Sequence, residues 1–265
     1  MVIPTCARPP LLKRALESVR AQTAPPAEMI VVDDGSDRDG DAVRRVVETS
    51  GLPAARLVGN ARPKGPSGAR NTGAALATRP LLAFLDDDDE WLPTYLAAAV
   101  RRFESADVDV MCTDLQYRYD DGTERPGKCA PDVLAAEAFL TRNPGLIGSN
   151  LLITGALYRR LAGFDESLLT CEDMDFGIRL SLHPGVRYAP LHERLVRHHQ
   201  HSRTRLCMPR GEAMCAGVRR FFELHGPRMN AVQQAEFRST VRRLWHVDEY
   251  GRVDAQAATL AARPS

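Results

Sequence analysis

The chain has 265 residues, 44% hydrophobic and 26% charged, with a formal net charge of +1, enough for one sizeable globular domain or one domain with a small C-terminal annex. That charge gives no electrostatic case for a nucleic-acid partner, and none is expected, because no excess of positive charge exists to replace counterions. Positive charge is uneven, however: residues 194–243 are rich in Arg and His, which suits either an anionic ligand or a solvated helical face. Met1 leads straight into Val2-Ile3-Pro4-Thr5 without a basic region and an apolar run, so no secretion signal is expected. No apolar stretch is long enough for a bilayer span. The six cysteines are scattered, with no CxxC pair, and read as free thiols. A soluble, cytoplasmic protein is expected, peripheral at a membrane at most.

Val2 to Thr5 reads as a strand, and Pro9-Pro10 opens a helix through Leu12, Leu16 and Val19. Met29 to Val32 is a second strand, ending in Asp33-Asp34-Gly35-Ser36. A helix carrying Val43, Val46 and Val47 follows, then a short strand around Arg56 to Val58. Ser67 is placed to cap a helix from Gly68 to Ala77, before a buried strand from Leu81 to Leu85. Short apolar runs alternating with helices predict an α/β fold with a mostly parallel sheet and helices on both faces. In such folds ligands gather outside the carboxyl ends of the strands. Thr5, Asp33-Asp34 and Asp86 to Asp89 all stand there.

The second half is less regular. Val108 to Thr113 reads as a strand and Tyr117 to Glu124 as a hairpin around Asp120-Asp121-Gly122. Helices are expected near Pro131 to Leu140 and Glu172 to Leu182. Two more follow, roughly Arg210 to Leu224 and Met229 to Val247, and beyond Tyr250 a loosely held tail.

Four consecutive aspartates, Asp86 to Asp89, are unfavourable on one short loop unless a cation neutralises them. Hard ions such as Mg2+ and Mn2+ want carboxylate and phosphate oxygens. The plainer reading is an acidic turn before the helix near Pro93. His198, His199 and His201 with Cys207 and Cys215 fit no common zinc spacing. Gly65-Pro66-Ser67-Gly68 lacks the Lys-Ser/Thr ending of a Walker phosphate loop. Phe221-Phe222 and the helix around Arg242-Arg243 read as core packing, with a lid, a homodimer contact or a membrane-facing patch as alternatives.

Taken in order, Pro4-Thr5, Val32-Asp33-Asp34-Gly35-Ser36, Gly68-Ala69-Arg70-Asn71-Thr72-Gly73 and Phe84-Leu85-Asp86-Asp87-Asp88-Asp89-Glu90-Trp91 resemble the family 2 glycosyltransferases of GT-A fold. Gly163-Phe164-Asp165-Glu166, Glu172-Asp173-Met174-Asp175-Phe176 and Arg197-His198-His199-Gln200-His201-Ser202 continue the match, which covers roughly residues 1–205.

The resemblance implies an inverting transferase using a UDP-sugar, GlcNAc or glucose, with Mn2+ or Mg2+. It puts Pro4 and Thr5 at the nucleoside, Asp34 on the uracil imide, and Arg70 near the base or diphosphate. Asp86 and Asp87 would contact ribose or sugar-phosphate, while Asp88 and His199 would reach the metal. Asp173 would be the base that deprotonates the acceptor, kept ionised by its place at a helix start. Without the resemblance, Glu172, Asp173 and Asp175 are simply acids opening a helix. Glu172 and Trp91 are secondary candidates on the acceptor side, although Trp91 reads first as a packing residue. Arg179 is expected to pair structurally with a nearby acid. Cys6-Ala7 replaces the family's usual Tyr-Asn, so an aromatic face that often stacks on the base is missing.

Three parts are expected: residues 1–114 binding the donor, 115–205 carrying the acceptor and catalysis, and 206–265 as a C-terminal helical extension. The acceptor, a hydroxyl or an amine, is open between a small molecule, a carrier-bound and a lipid-linked one, in specialised-metabolite or polysaccharide biosynthesis. The competing functions are a sugar-phosphate nucleotidyltransferase, whose glycine-rich basic N-terminal loop is absent, and a non-catalytic nucleotide-sugar binder.

Overall fold

The computed structural model describes residues 1–35, 40–105, 107–200 and 212–245. Strands β1 (Val2–Thr5), β2 (Met29–Asp33) and β3 (Ala55–Gly59) pair in parallel, with Thr5 opposite Asp33 and Asp33 opposite Gly59. Between them run α1 (Pro9–Arg20) and α2 (Gly40–Glu48). Prolines at the start of α1 cost nothing, because the first amides of a helix have no internal partner. Its Leu12, Ala15, Leu16 and Val19 form the buried stripe. Helix α3 (Pro66–Leu76) begins two residues before the expected start, with Gly65 rather than Ser67 at its cap position. The Ser67 hydroxyl is buried and donates to the Leu168 carbonyl instead. α3 lies tightly on β1 because Gly73 has no side chain: a Cβ there would run into Val2.

Strand β4 (Leu81–Ala83) leads into the acidic loop, and β5 (Glu90–Trp91) and α4 (Tyr95–Ser105) follow it. Then come β6 (Val110–Tyr119), β7 (Glu124–Pro126), α5 (Ala136–Thr141), β8 (Leu151–Thr154), α6 (Gly155–Arg160), α7 (Glu172–Leu182) and β9 (Tyr188–Gln200). This half of the sheet is mixed. β8 is antiparallel to β4 and β6, β9 is parallel to β6, and β5 is antiparallel to β9. A parallel bridge between Val2 and Phe84, with Leu85 N donating to Val2 O at 3.0 Å, joins the two halves beside β1.

Alternate residues of the central strands bury on opposite faces. Val2, Ile30, Val32 and Phe84 pack on one side, Ile3, Met29, Val31 and Leu85 on the other. Burial on both faces is why these strands read as unbroken apolar runs. α8 (Glu212–His225) and α9 (Ala231–Trp245) close the described chain. Phe221 and Phe237 are fully buried in the core beneath the sheet, their rings stacked 5.5 Å apart. The tail beyond Tyr250 lies outside the described residues. No helix among the described residues is long and apolar enough to cross a membrane.

Candidate active site

The four aspartates after β4 have four different surroundings. Asp87 is fully buried: it accepts from Thr5 Oγ1 at 2.7 Å and Arg8 Nε at 3.1 Å, and pairs with Arg8 Nη2. Burial pushes its carboxyl up to about 7, against the pull of Arg8. Expected at the donor, Asp87 instead ties the end of β1 to the acidic loop, because both its oxygens are spent beneath it. Thr5 spends its hydroxyl on the same tie and is itself 2% exposed. Asp88 faces outward, accepting from Arg8 Nη1 at 3.1 Å, while its carbonyl accepts from Arg14 Nη2 at 2.7 Å. Asp86 pairs with Arg70 Nη2 at 2.6 Å. Asp89 is buried against His198 Nδ1 at 3.0 Å and accepts from the His199 amide at 3.1 Å.

Asp86, Asp88 and Asp89 each bring a carboxylate oxygen within 4.8 Å of the others, the one such group of possible ligands among the described residues. Three oxygens with no nitrogen or sulfur fit a hard divalent cation. Asp89 belongs to this group although His198 and the His199 amide also hold it. His199, expected to reach the metal, is not in the group: its Nε2 lies 2.6 Å from Glu90 Oε1. Successive side chains of β9 point to opposite faces, so His198 meets Asp89 and His199 meets Glu90. His201 and Cys207 of the conceivable zinc cluster lie outside the described residues, and Cys215 is buried in the core. Trp91 is 2% exposed, stacked on Tyr95 at 4.4 Å, with Nε1 donating to Ser149 O at 2.8 Å. It packs the core and offers no face to an acceptor.

On the other side of β1, the chain turns at Ala7 in a left-handed conformation (φ 52°). Asp34, 8% exposed, accepts from Asn60 Nδ2 at 2.5 Å and the Gly65 amide at 2.8 Å. Burial raises its carboxyl, opposed by those two donors. A hollow of about 700 Å³ opens beside it, lined among others by Asp33, Asp34, Asn60, Arg62 and Lys64, a size suited to a small ligand. Asn60, Lys64 and Arg8 went unmarked in the sequence. Their signal is position, in the loops that follow the carboxyl ends of β3 and β1.

The motif in α3 draws the distant pieces together. Asn71 Nδ2 donates to Phe164 O at 2.9 Å, and its Oδ1 accepts from Phe164 N at 3.0 Å and Tyr158 Oη at 2.6 Å. That locks the Gly163-Phe164-Asp165-Glu166 turn onto the helix. Arg70, one residue earlier and 2% exposed, reaches Glu172 Oε1 at 3.3 Å as well as Asp86, with its guanidinium 5.1 Å over the Phe164 ring. Burial alone would lower the Arg70 pKa, but the fields of Asp86, Asp173 and Glu172 hold it above its ordinary value.

Asp173 is half-buried at the first turn of α7, and its Oδ1 has no hydrogen-bond partner among the described residues. It lies in the fields of Glu172, Arg70, Asp86 and His198. Its carboxyl is pushed well above the carboxylate range, first by burial and then by Glu172, with Arg70 opposing. The expectation that the helix start keeps it ionised is therefore reversed, because desolvation outweighs the helix dipole. Such an acid, once deprotonated, is a stronger base than an ordinary carboxylate. Arg179, as expected, has a structural partner: its Nε donates to Asp175 at 2.8 Å.

Residues 1–160 match the model of glycosyl transferase family 2. The succinoglycan biosynthesis protein ExoO of Rhizobium meliloti (strain 1021) is 32% identical over 146 residues, 55% of this chain and 39% of that protein. The GalNAc(5)-diNAcBac-PP-undecaprenol beta-1,3-glucosyltransferase of Campylobacter jejuni is 30% identical over 102 residues, 38% of this chain and 33% of that protein. The matched stretch thus spans less than two fifths of either relative. The structure of S. aureus TarS 1–349 in complex with UDP-GlcNAc superposes with a TM-score of 0.63 at 19% identity, covering 99% of this chain and 75% of that one. With more than half of its length inside the family pattern, on a fold shared with TarS, the chain belongs to glycosyl transferase family 2.

Proposed function

We propose that this transferase moves a sugar, GlcNAc or glucose, from a UDP-sugar to a hydroxyl or amine acceptor with inversion. The observation that carries the reading is the meeting of Asp86, Arg70 and Asp173 from three distant stretches of chain, with an unpartnered buried oxygen on Asp173. Asp34 and the hollow beside it would receive the nucleoside, over a floor that Pro4 and Thr5 shape. Arg70 acts by holding Asp86 and Glu172 in place. The Asp173 carboxylate takes the acceptor proton as the acceptor oxygen or nitrogen bonds to the anomeric carbon and the bond to the diphosphate breaks on the opposite side. Mn2+ or Mg2+ held by Asp86, Asp88 and Asp89 would balance the charge on the departing diphosphate.

The UDP-GlcNAc complex of TarS supports the donor class. The names of the Rhizobium and Campylobacter relatives support an acceptor in polysaccharide assembly, polymeric or lipid-linked, used in the cytoplasm or at the membrane surface. UDP release from UDP-GlcNAc and UDP-glucose, with and without Mn2+, tests the proposal. Purified protein that neither binds nor turns over a UDP-sugar would overturn it.

A further inference from the structure

Helix α7 presents Glu172 and Asp173, yet much of what holds its first turn comes from beyond residue 160, where the family match ends. The chain enters α7 through Cys171, a non-glycine residue at φ 64° and 6% exposed. A side chain in that left-handed conformation persists only where its surroundings over-determine it. α8 supplies much of those surroundings. Its Gly217 faces Thr170 so closely that a Cβ there would lie 2.7 Å from the Thr170 amide nitrogen. Its Arg220 Nε donates to Ser167 Oγ at 3.2 Å. At its last residue, His225 Nε2 lies 2.9 Å from Asp175 Oδ1, with both side chains buried.

His225 Nδ1 is buried without a hydrogen-bond partner among the described residues, so the tautomer that wastes no donor carries its proton on Nε2 and gives it to Asp175. The other Asp175 oxygen accepts from Arg179 Nε, whose Nη1 donates to Leu161 O at 2.6 Å and Gly163 O at 2.8 Å. Asp175 is therefore a junction between the turn locked by Asn71, the catalytic helix and α8. Cys215, Val218 and Phe221 of α8 share one core with Cys171, Met174 and Phe176.

We propose that α8 is a clamp on the catalytic helix, and that His225 is a positioning residue which, through Asp175, sets where Asp173 stands. The inference rests on Asp173 being the base. A helix that merely added stability would, when weakened, lower donor binding and turnover together. A clamp on Asp173 separates them, because the donor is held by the loops after β1, β2 and β4.

The test compares the full chain with His225→Phe and His225→Gln. Phenylalanine keeps the ring against Phe221 (4.8 Å) but removes the bond, and glutamine restores a donor at similar reach. Hydrogen exchange of residues 167–176 is measured beside calorimetric UDP-GlcNAc affinity and UDP release. In His225→Phe, exchange at 167–176 quickens about tenfold or more, the scale of a lost hydrogen bond to a charged group, while 81–91 stay as protected as before. UDP release falls roughly 10- to 100-fold, as for a reacting group misplaced by up to about an ångström, with donor affinity unchanged. His225→Gln restores both. Gly217→Ala, which pushes α8 off Thr170 without touching His225, reproduces the split. Unchanged exchange at 167–176, equal losses of affinity and turnover, or no rescue by glutamine overturns the clamp. A wild-type chain that releases no UDP would instead count against the donor reading, while the exchange comparison still decides the clamp.

Discussion

Replacing Asp173 with asparagine keeps the shape of the side chain and removes the one function proposed for it. Loss of a general base costs typically about 10²- to 10⁴-fold in rate, so UDP release should fall at least 100-fold. Donor affinity should stay, since Asp173 approaches Asp86 and Arg70 only through their fields and hydrogen-bonds neither. Stability provides a second, independent measure. The wild-type carboxyl is raised in the folded chain by burial and by Glu172, so the folded state holds this proton more tightly than the unfolded one. Its contribution is complete below the unfolded value near pH 4 and is lost as pH rises through the folded value. The slope is at most about 1.4 kcal/mol per pH unit for one group. Asparagine cannot titrate, so the stability of Asp173→Asn relative to wild type should improve in urea titrations as pH rises from the unfolded value toward the folded one. A variant that kept more than a tenth of wild-type turnover, lost donor affinity, or tracked wild type at every pH would refute the reasoning.

Asp88→Ala should abolish the Mn2+-dependent part of donor affinity in calorimetry while leaving the metal-free part, and unchanged Mn2+ dependence would remove Asp88 from the cation site. Arg8→Met leaves Asp87 buried with Thr5 alone, which should cost roughly 3–5 kcal/mol in urea unfolding; a loss under 1 kcal/mol would show that the pair is not a structural tie. Trp91→Phe removes the donor to Ser149 O and should cost about 1–3 kcal/mol with UDP-sugar affinity unchanged. A loss of donor or acceptor binding without a loss of stability would return Trp91 to the site.

The first half of the fold is legible in the sequence. Buried parallel strands announce themselves as apolar runs, and the polar residues directly after them fall on one edge of the sheet by the geometry of the fold. Order alone places Thr5, Asp34 and the aspartate loop on that edge, and the helix bearing Asp173 has the bounds its pattern predicts, Glu172–Leu182. Strand direction in the second half was not legible. A residue pattern with a period of two is the same whether its neighbour runs with it or against it, and β8 and β9 do not read as strands at all, one being four residues long and the other broken by charged residues.

What each acid does was decided only in three dimensions. Four adjacent aspartates are chemically identical in a sequence. In the fold Arg8 and Thr5 draw Asp87 inward, Arg70 takes Asp86, His198 takes Asp89, and Asp88 is left facing out. Asp173 likewise reads as an ionised helix opener until burial and Glu172 raise it. By itself the sequence determined the family and the order of strands and helices in the first half, because these follow from local periodicity and chain order. Charge state, hydrogen-bond partners and the packing of α8 against α7 depend on residues far apart in the chain, and a carboxylate's properties are set by what surrounds it in space.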